Sequence, residues 1–107
     1  MKAAYEVVAG EHFWSTLGAL KGKYSKEQIA EIVGIVKECI RELQEIGKIE
    51  ETGWSEHLLR RRPFADGNHF EFHIFDDDVL VVYFKRVKGR KIRMVGIYDH
   101  EGIPSLR

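Results

Sequence analysis

Six consecutive apolar residues, Val79-Leu80-Val81-Val82-Tyr83-Phe84, constrain this chain more than any other feature. An uninterrupted run of this length, rich in β-branched and aromatic residues, is the pattern of a strand at the centre of a sheet. The segments on either side fit that reading. Before it, His69, Glu71 and His73 alternate with Phe70, Phe72 and Ile74, a period of two. After it, Ile92, Met94, Gly96 and Tyr98 recur at the same period. Asp76-Asp77-Asp78 and Lys88-Gly89-Arg90 supply the turns between them. Loops this short join neighbouring strands antiparallel, so the second half of the chain predicts a meander.

The first half carries a different period. Tyr5 to Ala9 has strand composition and stops at Gly10. From Glu11 to about Leu20, Phe13, Trp14, Leu17 and Leu20 recur at helical spacing, and Lys21-Gly22-Lys23 reads as a turn. Ser25 followed by Gln28 has the form of a capping box, opening a second helix. Ile29, Ile32, Val33, Val36, Ile40 and Leu43 then form one apolar stripe of about four turns that runs out near Gly47. Residues 48–68 read as irregular, punctuated by Gly53, Pro63 and Gly67. The order is β-α-α-β-β-β in one domain, 1–107. The fold class is α+β: an N-terminal strand and an antiparallel helix hairpin packed on a mostly antiparallel four-stranded sheet.

Composition narrows the setting. The single cysteine, Cys39, can form no internal disulfide and lies within a helical apolar pattern. No apolar run approaches the roughly 18 residues needed to span a bilayer, and no secretory leader pattern opens the chain. The expectation is a cytoplasmic protein without a membrane partner. Formal net charge is zero, yet charge is unevenly spread. By count, residues 1–53 hold seven Lys/Arg and nine Asp/Glu, whereas residues 54–107 hold ten and eight, with four of the five histidines. The basic groups are bunched at Arg60, Arg61 and Arg62, and again at Lys85, Arg86, Lys88, Arg90, Lys91 and Arg93. Such bunches can attract phosphate locally; they are equally the solvated turns and edges of an ordinary sheet.

Four residues of the second half could move protons near those cations: His57, His73, Asp77 and His100. Histidine titrates nearest neutral pH, and several histidines beside a carboxylate and cations are what metal-free RNA cleavage requires. One group takes the proton of the ribose 2′-OH, another protonates the leaving 5′-oxygen, and cations stabilise the charged phosphorane. Each residue also has an ordinary structural role open to it, as a loop or strand surface group or a turn former. His69 and His73 show a His-x3-His spacing, but on a strand they stand roughly 13 Å apart, too far to share one ion. No metal or cofactor is expected.

The runs Glu56-His57-Leu58-Leu59, Glu71-Phe72-His73-Ile74-Phe75-Asp76-Asp77-Asp78-Val79-Leu80-Val81-Val82-Tyr83 and Gly96-Ile97-Tyr98-Asp99-His100 resemble the YafQ-type toxins of the RelE/ParE superfamily. The resemblance covers the whole chain in topology and Trp54 to His100 in residues. It implies a toxin of a type II toxin–antitoxin system, an endoribonuclease cutting mRNA on the ribosome by 2′-OH attack without a metal. It implies catalytic roles for His57, His73, Asp77 and His100, and makes Arg60, Arg61, Arg62 and Lys85 candidates for RNA phosphate contacts. The implied partners are a cognate antitoxin protein, mRNA and the ribosome. The alternatives are a non-catalytic binding module on a toxin fold and a gyrase-poisoning ParE-like toxin.

Overall fold

The computed structural model describes residues 4–49, 56–59, 67–74, 79–86 and 88–99. Strand β1 (Glu6–Val8) leads into a short helix α1 (Glu11–Ser15), a 3-10 turn (Thr16–Leu20) and the long helix α2 (Lys26–Ile46). Strands β2 (His57–Leu58), β3 (His69–Ile74), β4 (Val79–Arg86) and β5 (Lys91–Asp99) follow. The sheet order is β1-β5-β4-β3-β2, with β1 parallel to β5 and the other pairings antiparallel. The α+β class and the mostly antiparallel sheet are as expected.

Two details differ. The sheet has five strands among the described residues, because His57 and Leu58, expected in an irregular stretch, pair with Glu71 and Phe70. The first helix is also not continuous over Glu11–Leu20. It passes from α to 3-10 geometry at Thr16, whose hydroxyl donates to the Phe13 carbonyl at 2.6 Å and accepts the Ile97 N–H at 2.8 Å. β1 covers β5 only at Lys91–Arg93. Thr16 therefore satisfies a donor further along the edge that β1 leaves open, and the tightened turn keeps it there.

Helix α2 forms where the sequence placed it. The Ser25 hydroxyl accepts from Gln28 N at 3.1 Å, and the Gln28 side chain accepts from Ser25 N at 3.0 Å, the reciprocal capping box. Its far end closes on Gly47, which adopts a left-handed conformation (φ 75°) and donates to the Leu43 carbonyl. The apolar stripe Ile32, Val36, Cys39 and Leu43 is buried, with Ile29, Val33 and Ile40 packed at its margins. It meets Phe72 and Ile74 of β3, Val79, Val81 and Tyr83 of β4, and Ile92, Met94 and Ile97 of β5, with Phe13, Leu17 and Leu20 completing the core. A bulge lets β5 hold this register: Met94 pairs with Tyr83 and Gly96 with Val82, leaving Val95 as the extra residue. Among the described residues no helix is long and apolar enough to cross a membrane.

Gly47 is fixed twice over, since a Cβ there would overlap the Tyr5 ring as well as strain the backbone. Gly47→Ala should therefore destabilise the fold by about 1–3 kcal/mol, read as a lower urea midpoint at unchanged slope.

Candidate functional site

The helices cover one face of the sheet. The other face carries His57 of β2, Leu59 just beyond it, and the odd-numbered residues of β3: His69, Glu71 and His73. Strand alternation puts them there, because Phe70, Phe72 and Ile74 occupy the helix side. The same face has its own small apolar cluster of Leu59, Leu80 and Val82, flanked by Val95 and Tyr98. Tyr98 lies against Gly96, where a Cβ would overlap its ring. Burial raises the pKa of the Tyr98 phenol above its ordinary value.

Register assembles the polar group. His57 is the β-ladder partner of Glu71, so the two lie on one face, with His73 two residues along. The His57 and His73 rings approach to 5.7 Å between centroids in an edge-to-face arrangement. Glu71 Oε1 stands 3.1 Å from His73 Nε2, with both side chains largely buried (13% and 21% exposed). The second carboxylate oxygen of Glu71 is buried with no hydrogen-bond partner among the described residues. A buried acceptor left open in this way is uncommon. His57 is exposed, so the cluster has an open mouth and a buried floor. His69 lies further along β3, its ring 5.1 Å from that of Phe84.

Of the eight residues singled out in the sequence, His57 and His73 are thus brought together. Asp77, His100, Arg60, Arg61 and Arg62 lie outside the described residues. Glu71 was missed, although the signal was available: it sits between His69 and His73 in the period-two pattern, on the polar face. Among the described residues no group of three or more His, Cys, Asp or Glu is arranged to hold a metal ion.

Lys85 requires a correction. It was a candidate phosphate contact, but it is 8% exposed and belongs to the helix side of the sheet. Its ammonium pairs with Glu56 at 2.5 Å and lies 4.3 Å from the centre of the Phe70 ring. Glu56 also accepts the Tyr83 hydroxyl at 2.7 Å and the Ile49 N–H at 3.2 Å. Three donors from α2's exit and from β4 therefore converge on one carboxylate, which fixes the residue immediately before His57. Parity explains the error: Lys85 is two residues beyond Tyr83 and so follows it to the core side, whereas the flanking Phe84 and Arg86 face the other way.

No family model matches the chain, and no curated protein matches it. Among solved structures, the solution structure of the conserved hypothetical protein HP0892 from Helicobacter pylori is similar over 91% of this chain and 96% of that one. The two are 16% identical, with a TM-score of 0.46. A likeness of that size carries no argument about activity.

The Glu56 knot makes two predictions. Lys85→Met should cost about 3–5 kcal/mol, because it leaves a largely buried carboxylate without its cation; adding Glu56→Gln should recover part of the loss in urea unfolding. The Tyr83 phenol is pushed far above its ordinary pKa, first by burial and then by the charge and hydrogen bond of Glu56. Below about pH 10 it is neutral in both folded and unfolded chains. Above that, only the unfolded chain releases the proton, so stability should fall as pH rises, by up to about 1.4 kcal/mol per pH unit. Unfolding midpoints compared at about pH 9 and about pH 11 should fall less steeply in Tyr83→Phe.

Proposed function

We propose that this chain is a toxin of the RelE/ParE superfamily, of YafQ type, that cleaves mRNA by attack of the ribose 2′-OH on the adjacent phosphorus. The observation that carries the reading is the His57–Glu71–His73 cluster on the helix-free face of the sheet. One imidazole of this cluster, 3.1 Å from a carboxylate oxygen, can serve as one of the two proton-transfer groups that such a reaction needs, and the second, in ring contact with it, can orient the phosphate. The resemblance of the sequence from Trp54 to His100 supplies the rest of the constellation. Asp77 stands two residues before Val79 and His100 one residue after Asp99, and Val79 and Asp99 are register partners. Val79 and Asp99 lie at the end of the sheet that also carries His73, whose partner is Leu80.

In this reading His73 and His100 are the proton-transfer pair, with Asp77 as the alternative to His73. Glu71 is a positioning residue that fixes the His73 ring. His57, at the open mouth, orients the scissile phosphate. The chemistry balances without a co-reactant. The 2′-oxygen loses its proton to one group and bonds phosphorus, the phosphorus–5′-oxygen bond breaks, and the departing oxygen takes a proton from the second group. Arg60, Arg61 and Arg62 would hold neighbouring phosphates. A protein with this activity needs a cognate antitoxin to silence it, and the ribosome is the setting in which mRNA would be cut.

The test is to induce the chain alone in bacteria, follow growth and translation, and map cleavage of a reporter mRNA by primer extension. His73→Ala and His100→Ala should each reduce cleavage on the order of 10²–10⁴-fold and relieve toxicity. Glu71→Gln should reduce the rate and shift its pH profile while the unfolding midpoint stays near wild type, an outcome that a purely structural role would not give. Toxicity that persists in the His73→Ala/His100→Ala double variant would remove the nuclease reading and leave a binding module.

A further inference from the structure

The helix-free face continues beyond the histidines toward the β4–β5 turn, and there its character changes. A cleft of about 400 Å³ is lined by Val8, Phe84, Arg86, Lys91, Ile92 and Arg93. The register makes this a connected surface: Phe84 pairs with Arg93, Arg86 with Lys91, and Val8 with Arg93. The Arg93 guanidinium lies 5.8 Å from the centre of the Phe84 ring, and the His69 ring meets the same ring edge-on at 5.1 Å. Val8 is 51% exposed, which leaves the floor apolar and accessible.

The charge of this end is one-sided. Arg86, Lys91 and Arg93 are exposed at the cleft, and Lys88 and Arg90 are exposed on the adjoining turn. Arg90 holds a left-handed conformation (φ 53°), an uncommon one for a residue with a side chain. Among the described residues the carboxylate paired with these cations is Glu6, 3.6 Å from Lys91 and itself exposed. Arg86 and Arg93 form no ion pair among the described residues. Structural cations of this protein behave otherwise, as Lys85 does with Glu56.

We propose that this cleft is a subsite for single-stranded nucleic acid, with a base stacked on Phe84 and the flanking phosphates held by Arg86 and Arg93. Aromatic stacking beside a cationic groove is how single strands are held without sequence readout. An acidic peptide would use the cations but would give a flat ring bracketed by His69 and Arg93 no part to play. His69 also links the cleft to the histidine cluster: it is four residues from His73 on β3, roughly 13 Å along the strand. A strand lying across the face would thus reach the reactive group a few nucleotides away. The identity of the ligand rests on the nuclease reading, whereas the cleft, its charge and its ring do not.

The experiment uses the full chain and a fluorescein-labelled single-stranded RNA of about 12 nucleotides, 2′-O-methylated throughout so that it cannot be cut by 2′-OH attack. Anisotropy gives Kd across a salt series. Arg86→Gln/Arg93→Gln should weaken binding and make the slope of log K against log salt shallower by about 1.4, the loss of two phosphate contacts on a single strand. Phe84→Leu should weaken binding on the order of 5- to 100-fold with the slope unchanged. Lys37→Gln/Arg41→Gln, on the solvent side of α2, is the control and should leave both at wild type. Should Phe84→Leu prove unstable, the exposed arginine pair carries the test alone. Wild-type affinity and slope in the folded arginine variant would overturn the subsite. So would an arginine variant that loses a co-purifying protein partner yet binds RNA as before. Failure of the nuclease reading is distinguishable: the wild type would bind this RNA with the same arginine dependence but cut no unmodified RNA.

Discussion

β4 is paired along both edges and covered on both faces, and the rest of the molecule is arranged by what covers each side. On one side Val79, Val81 and Tyr83 meet the stripe of α2. On the other Leu80 and Val82 are closed over by Leu59 and Tyr98 rather than by a helix. This asymmetry leaves part of the second face uncovered by helices. Burial of the run is the stabilising force, at about 25 cal/mol for each Å² of apolar surface removed from water. The polar groups that intrude on the core side are matched: Glu56 receives Tyr83, Lys85 and Ile49 together. By tying down the residue next to His57, that knot links the stability of the core to the geometry of the opposite face.

Much of this was legible in the residues. The six-residue apolar run marked the central strand, the period of two at His69–Ile74 marked its neighbour, and Ser25 with Gln28 marked the start of α2. These signals are local, set by which side chains alternate and which can cap. The pairing of β2 was not legible, because two residues are too few to show a period and their strand conformation depends on partners twelve and fourteen positions away. The 3-10 turn at Thr16–Leu20 was hidden too: Thr16, where it begins, accepts a hydrogen bond from Ile97, 81 residues on.

The candidate site was legible in part. His57 and His73 were chosen for their chemistry and order, and the ladder brings them into contact through a register that the sequence does not state. Glu71 was not singled out, although its parity put it on the face of the two histidines. Lys85 shows the converse: grouped with its basic neighbours by proximity in the chain, it is separated from Arg86 by the pleat. Parity along a strand, more than clustering along the chain, sorts the basic residues of β4 into buried and exposed ones.

The central claim is that RNA is cut by its own 2′-oxygen, and the ends of the cleaved RNA report on this most directly. Mass spectrometry of a defined oligonucleotide, cut by the purified chain alone or on programmed ribosomes, should find a 2′,3′-cyclic phosphate, or the 3′-phosphate it hydrolyses to, on the upstream fragment. The downstream fragment should carry a 5′-hydroxyl. Fragments ending in a 3′-hydroxyl and a 5′-phosphate would mean that water, not the ribose, attacked phosphorus, and would contradict the account.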